Sequence, residues 1–348
     1  MIPSPCRYQQ TVAIMIQSDL PIRILKNAVI TPARANHQSH EIWGNVFNDR
    51  GQIVTDLTRK AGRWVHALED PPTGKDIRHI PAAIFAGHMH THYGHCLIES
   101  IPSAIVAKRV RDAEGRLPVI YHDFNGSPRA DLPPDNFRTQ ILKDCFDIDV
   151  NDVIFSTTTL KVNTLYTFEP PVQLRGPVIR SDFHGEFVAG RDRLLEKAGY
   201  APNPCQTEMI YISRQTDAAS RSHRRKGSFV EQEQYFEDAL TQLGVRIIIP
   251  EEMTYTDQLD LFARTKVLIG LTGSGLHNAL WCQAGTQVLE IASTPANIDI
   301  MRRIAEAANA DFCKIPFGTA VVKKGSDDDW YPAFDIDKAI EQIKALLD

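Results

Sequence analysis

Two short stretches of this chain hold most of the residues whose types and spacing could do chemistry. In VLIGLTGSGLHNALWCQAGTQVLEI, residues 267–291, an apolar run leads into a turn containing Gly270, Gly273 and Gly275. Glycines between a strand and a helix let the backbone come close to a ligand, and a helix N-terminus offers unpaired N–H groups and partial positive charge. That arrangement suits a phosphate or diphosphate. The spacing is neither the dinucleotide pattern GxGxxG nor a Walker A loop, since no Lys-Ser/Thr follows. A tight strand-to-helix turn with no ligand therefore stays open beside the anion site.

The second stretch, GHMHTHYGHCLIES at 87–100, carries His88, His90, His92, His95 and Glu99. Spacing of two predicts that His88, His90 and His92 share one face of a strand, and an HxH pair at a strand end begins many metal-dependent hydrolase sites. Further ligands would have to come from elsewhere; His122, His184 and His277 have no ligand partner at short spacing. On a helix, by contrast, His92, His95 and Glu99 are neighbours, because residues three and four apart share a face. A His or carboxylate presented from a helix start can serve as a general base toward a hydroxyl. A polar turn ahead of a helix is the third possibility, and the cluster alone does not choose.

The elements that must position these groups can be read from periodicity. Residues 20–82 read as β-rich and irregular, with apolar pairs broken by Asn, Asp, Gly and Pro. Leu97, Ile98, Ile101, Ile105 and Val106 predict a helix over 92–111, which Pro102 should kink or restart. A strand at 117–121, a helix at 136–146 and strands at 153–155 and 162–168 follow. A Pro-rich break at 170–177, a helix at 186–199 and the segment APNPC at 201–205, read as an interdomain linker, come next.

Beyond the linker the order becomes regular. Strands are predicted at 209–213, 245–250, 267–270, 287–291 and 311–315, with helices at 230–243, 256–265 (capped by Thr254 or Thr256), 275–284 and 297–308 between them. Strict alternation implies a parallel sheet with helices on both faces, and ligands in such sheets bind beyond the carboxyl ends of the strands. The glycine turn and Arg214 both fall at such ends. An amphipathic helix closes the chain at 335–347.

The 348 residues suggest two domains. Hydrophobic content of 43% and charged content of 23% are those of an ordinary globular protein, and the net charge of −5 argues against broad nucleic-acid binding. No run approaches the roughly 20 apolar residues of a membrane-spanning helix, and the N-terminal residues lack a secretory pattern. Six scattered cysteines with no CxxC pair indicate neither a zinc knuckle nor a disulfide framework, so reduced, cytoplasmic cysteines are expected.

Several of these segments also occur in a characteristic order. They are Gly94-His95-Cys96-Leu97-Ile98-Glu99-Ser100, then Ile212-Ser213-Arg214, then Arg224-Arg225-Lys226 leading to Val230-Glu231, then Gly270 to Asn278, and a strand ending in Glu290. In this order and spacing the chain resembles glycosyltransferase family 61, the group related to capsular polysaccharide biosynthesis proteins, over residues 85–295. Two positions depart from the family pattern: Thr272 stands where a His is usual, and Val230 where an Asn is usual.

The resemblance implies an α/β, GT-B-like architecture, with two Rossmann-like domains facing across a cleft and a β-rich N-terminal segment. Residues 1–200 would form the acceptor-side domain, 205–330 the nucleotide-sugar domain, and 331–348 a terminal helix. It implies inverting transfer from a nucleotide sugar to a glycan or lipid-linked saccharide acceptor, with no cofactor and no essential metal. The catalytic residues would be Glu99, His95 and His92. Arg214, Arg225, Thr272, Gly273, Ser274, Gly275, Leu276, His277, Asn278 and Glu290 would hold the nucleotide sugar. The family pattern favours Glu99 as the base, whereas an imidazole titrates nearer to working pH, which keeps His95 as its rival. Asp327-Asp328-Asp329 reads as a solvated loop rather than a metal motif. The expected location is the cytoplasm, with peripheral association at the inner face of the membrane left open. A metal-dependent hydrolase on His88, His90 and His92, and a non-catalytic nucleotide-binding module, are the alternatives.

Overall fold

The computed structural model describes residues 20–36, 41–57, 65–66, 70–72, 76–123, 136–171, 183–201, 204–213, 229–292, 300–316, 321–323, 330–332 and 335–347. The chain divides into two compact units, one ending at Gly190 and the other beginning at Arg191.

In the first unit the strands are β1 (Arg23–Ile30), β2 (Arg34–Asn36), β3 (Glu41–Trp43), β4 (Val46–Phe47), β5 (Val65–His66) and β6 (Ile77–Met89). A continuous helical run follows: α1 (Tyr93–His95), a π-helical turn (Cys96–Ser100) and α2 (Ile101–Glu114). Then come β7 (Val119–Asp123), α3 (Phe137–Gln140) with a second π turn (Ile141–Cys145), β8 (Val153–Phe155), β9 (Thr159–Thr167) and the start of α4 (His184–Lys197). The main sheet runs β4-β1-β9-β6-β7-β8. Strands β9, β6, β7 and β8 are mutually parallel, and β1 and β4 add an antiparallel margin. Ala28, Ile30, Ile80, Phe85, Ile120, Leu160 and Val162 form a buried cluster on this sheet, and α2 packs on β6 through a face that includes Ile101, Ala104 and Ile105.

Between β6 and β7 the register slips by one residue, since Phe85 pairs with Ile120 but His88 pairs with His122. The extra residue sits at Gly87, whose φ of +77° is open to glycine at no steric cost. This bulge re-aims the strand end just where the histidines begin. The strand then stops at Met89, so His90 and His92 do not continue a strand face with His88. The expected three-histidine strand face is therefore corrected to one histidine on the strand, one just past it, and His92 at the N-cap of α1.

The predicted helix over 92–111 runs unbroken from Tyr93 to Glu114, with Pro102 in the first turn of α2, where its missing N–H is tolerated. Just before Pro102 the Ile101 N–H reaches back five residues to the Cys96 carbonyl, which makes the π turn.

The second unit carries β10 (Glu208–Ile212), α5 (Phe229–Gln242), β11 (Arg246–Ile248), α6 (Tyr255–Ala263), β12 (Thr265–Leu271), a 3₁₀ helix (Ser274–Trp281), β13 (Gln287–Ala292), α7 (Ile300–Ala307), β14 (Asp311–Pro316), the short pair β15 (Val321–Lys323) and β16 (Trp330–Pro332), and α8 (Ile336–Leu347). Five strands form a sheet in the order β11-β10-β12-β13-β14, every neighbour parallel. Phe236 and Leu240 of α5 and Ile336, Ala339 and Ile343 of α8 bury Tyr211, Val267, Ile269, Leu289 and Ile291 on one face. The alternate residues Leu268 and Gly270 point to the other face, toward the 3₁₀ helix, α6 and α7. Thr254 caps α6, its hydroxyl accepting the Asp257 N–H.

The predicted helix over 275–284 is shorter and of another type. Its eight residues, 274–281, are 3₁₀. Among the described residues no helix is long and apolar enough to cross a membrane.

Candidate functional site

In the first unit, the turn after β6 and the start of the helical run bring His88, His90, His92, His95 and Glu99 together. Glu99 lies one turn beyond His95, and its Oε1 is 2.6 Å from His95 Nδ1. Its other oxygen, Oε2, stands 3.6 Å from His90 Nε2. The side chains differ in access: His95 is 42% exposed, Glu99 15% and His90 3%. The imidazole of His95 stacks 5.4 Å from that of His90 and 5.2 Å edge-on to that of His92.

Ser100, a residue that neither type nor spacing singled out, ties this arrangement down. Its hydroxyl accepts the His90 N–H at 3.0 Å and donates to the His88 carbonyl at 2.9 Å. One buried side chain thus joins the strand end to the helix that carries His95 and Glu99.

His122 belongs to the fold. Its Nε2 donates to the Thr31 carbonyl at 3.1 Å, and its ring packs edge-on against Phe85 and His88. Gly44, at φ +121°, lets the chain pass that ring, since a Cβ there would lie 3.2 Å from it. Among the described residues no three His, Cys, Asp or Glu side chains are grouped so that they could hold a metal ion. Among the described residues, then, the hydrolase alternative has no set of converging ligands. Cys96, although next to His95, is not a nucleophile, because burial pushes its thiol up to about 12.

In the second unit the candidate groups follow β12. The strand order is that of a doubly wound sheet whose topological switch point lies between β10 and β12, where the chain moves to opposite sides of the starting strand. Ser213 at the end of β10 and the turn Leu271 to Gly275 at the end of β12 border that point.

The three glycines there have distinct causes. Gly273 adopts φ +151°. A Cβ on Gly270 would meet Leu276 Cδ2 at 3.0 Å, and one on Gly275 would meet Ile212 Cγ2 at 3.1 Å. Two of the three thus serve close packing between strand and helix, in keeping with the tight-turn reading that the sequence left open beside the anion site. Leu276, His277 and Asn278 are buried, Leu276 over Gly270. The Asn278 amide donates to the Gly275 carbonyl at 2.9 Å.

Thr272 donates its hydroxyl to Glu290 Oε1 at 2.8 Å. The other carboxylate oxygen of Glu290 lies 3.9 Å from Lys314 Nζ, so this buried acid sits between a hydroxyl and a cation. Arg214 and Arg225 lie outside the described residues, as do Arg224, Lys226 and Asp327 to Asp329.

A further pair of acids escaped the sequence reading. Glu233 and Glu237 of α5 are buried, and the Tyr211 hydroxyl donates to Glu233 at 3.3 Å. Burial raises Glu237 above the ordinary carboxylate range, a hydrogen bond with Ser213 opposes this, and the charge of Glu233 adds to the rise. Spacing of four on one helix face was the available signal, but nothing in the sequence distinguishes such a pair from a solvated one.

No curated protein matches the chain. The sequence model of the family described as Glycosyltransferase 61 matches residues 93–289, more than half of the chain. The match begins two residues before His95 and ends one residue before Glu290, so both candidate regions fall within or against it, while the β-rich start lies outside. On that match the chain belongs to glycosyltransferase family 61 and is a glycosyltransferase, an enzyme that takes a sugar from a donor to an acceptor.

Proposed function

We propose that the protein is an inverting, metal-independent glycosyltransferase that moves a sugar from a nucleotide-sugar donor to a hydroxyl of a glycan or polysaccharide acceptor. The observation that supports this most directly is the His95–Glu99 contact at 2.6 Å. A carboxylate only accepts, so Nδ1 of His95 carries the hydrogen, and in the neutral ring Nε2 then keeps its lone pair. His95 is also the more exposed of the two. His95 Nε2 therefore takes the acceptor proton, while Glu99 orients the ring and stabilises the imidazolium that forms. The acceptor oxygen bonds to the anomeric carbon as the bond from that carbon to the diphosphate oxygen breaks on the opposite face. Configuration inverts, and the diphosphate leaves with the electron pair.

The donor side of the reading rests on the switch point between β10 and β12. Backbone N–H groups of Gly273, Ser274 and Gly275 meet the diphosphate, with Arg214 and Arg225 supplying charge as the family resemblance implies. Glu290, held by Thr272, is the acid for a nucleotide hydroxyl. The GT-B arrangement, a role in polysaccharide or capsule assembly, and work at the cytoplasmic face of the membrane belong to the same reading.

Single-turnover transfer by His95→Ala and Glu99→Gln, measured side by side, tests it. Loss of a general base lowers the rate by about 10²–10⁴. His95→Ala should fall by that order with nucleotide-sugar binding intact, and Glu99→Gln by less. Near-normal rates in both would place the base elsewhere.

A further inference from the structure

We infer that His90 is a positioning residue for the catalytic pair, acting on the far oxygen of Glu99 and itself held in place by Ser100. The inference rests on the reading of His95 and Glu99 as the base and its orienting acid. His90 lies three residues before the stretch matched by the family model.

The geometry is a chain of four groups. Ser100 Oγ holds the His90 N–H and the His88 carbonyl. That fixes the backbone from which the His90 ring projects. The ring is almost fully buried, and its Nε2 faces Glu99 Oε2 at 3.6 Å. Glu99 Oε1 in turn contacts His95 Nδ1 at 2.6 Å.

A carboxylate gripped at one oxygen can still rotate about its last torsion, which is broad and roughly two-fold. An imidazole 3.6 Å from the second oxygen narrows that freedom, because its ring and its Nε2 limit where that oxygen can swing. With that swing limited, the lone pair on Oε1 stays aimed at Nδ1, and His95 is kept in the tautomer that leaves Nε2 basic. The π turn contributes as well: it shifts the helical phase between His95 and Ser100, so that Glu99 and Ser100, adjacent in sequence, reach His95 and the strand end respectively.

The test reads the His95 tautomer in the full-length protein by ¹⁵N NMR of the imidazole nitrogens, near pH 8, where an ordinary imidazole is neutral. His95→Ala assigns the signals. In the wild type, His95 should show a protonated Nδ1 and an unprotonated Nε2. In His90→Phe, which keeps a ring of similar bulk but no nitrogen, the Nδ1–H share should drop by half or more. His90→Gln, whose amide N–H falls near the position of Nε2, should restore it. Melting temperatures are taken in parallel, and if His90→Phe does not fold, Ser100→Ala, which leaves the imidazole in place but frees its backbone, carries the same comparison. A Nδ1–H share unchanged in His90→Phe, or in Ser100→Ala standing in for it, overturns the inference and leaves the catalytic pair untouched. A wild-type His95 that is not protonated at Nδ1 overturns both.

Discussion

The Thr272 hydroxyl holds Glu290 at 2.8 Å. Glu290 is buried near the end of a strand, where losing a donor leaves a desolvated oxygen that costs about 1–3 kcal/mol. Thr272→Val should therefore destabilise the protein by about that amount, and Thr272→Ser should not. Urea unfolding of the three proteins checks it, and equal midpoints would mean that Lys314 alone suffices. The glycines of the same turn were visible in the sequence but their reasons were not. Gly270 and Gly275 are small because Leu276 and Ile212 occupy the space a Cβ would need. Those contacts join residues from different elements, and no local spacing encodes them. Gly275→Ala should consequently cost about 1–3 kcal/mol through overpacking, whether or not a ligand binds nearby. A neutral Gly275→Ala would show that Ile212 gives way.

At the scale of elements, the strands and helices of the second unit were legible because each is an apolar run of the right period separated by a turn. The 3₁₀ helix was not, since an eight-residue apolar stretch has the same pattern in either helix type, and the choice falls to packing against Gly270 and Ile212. The one-residue bulge at Gly87 was equally hidden, and it was the end of the strand at Met89 that undid the assumption that histidines two apart share a face. Pro102 did announce an irregularity in its helix, the π turn that ends just before it, although the helical run continues unbroken through it.

Helix α5 carries a prediction of its own. Glu237 is raised by burial, so its neutral form is the one the fold favours. Stability from this group is present below the ordinary carboxylate pKa and is lost as pH rises through the raised folded value. Glu237→Gln cannot titrate. The wild-type stability relative to that variant should therefore decline from about pH 4.5 upward, as the general carboxylate range dictates. Urea midpoints of both proteins across pH 4.5 to 7.5 measure the difference, since titrations remote from Glu237, including the lowered Asp152, are shared, and that of its coupled neighbour Glu233 is carried in the same difference. Parallel curves would mean that Glu237 is solvated in the fold.

For the whole molecule, the alternation of strands and helices predicted a parallel sheet in the second half, and the order β11-β10-β12-β13-β14 is the form it takes. Strand order is set by which crossovers bury the most apolar surface, so it could not be read from the sequence, yet it decides where a ligand binds. If the turn after β12 receives the diphosphate, nucleoside diphosphate at 100 times its dissociation constant should stabilise the full chain by about 2.7 kcal/mol. Ser274→Glu separates this from a general effect. A carboxylate at the first residue of a helix favours the folded state through the dipole, so the unliganded protein should be no less stable. The same carboxylate repels a diphosphate, so the ligand-induced shift should vanish. His95→Ala, altered in the other unit, should keep the full shift, because the acceptor proton is not yet in play when the donor binds. Thermal unfolding of the three proteins with and without a panel of nucleoside diphosphates makes the comparison. A shift that survives Ser274→Glu moves the donor away from this turn, and one that vanishes in His95→Ala ties donor binding to the histidine cluster instead.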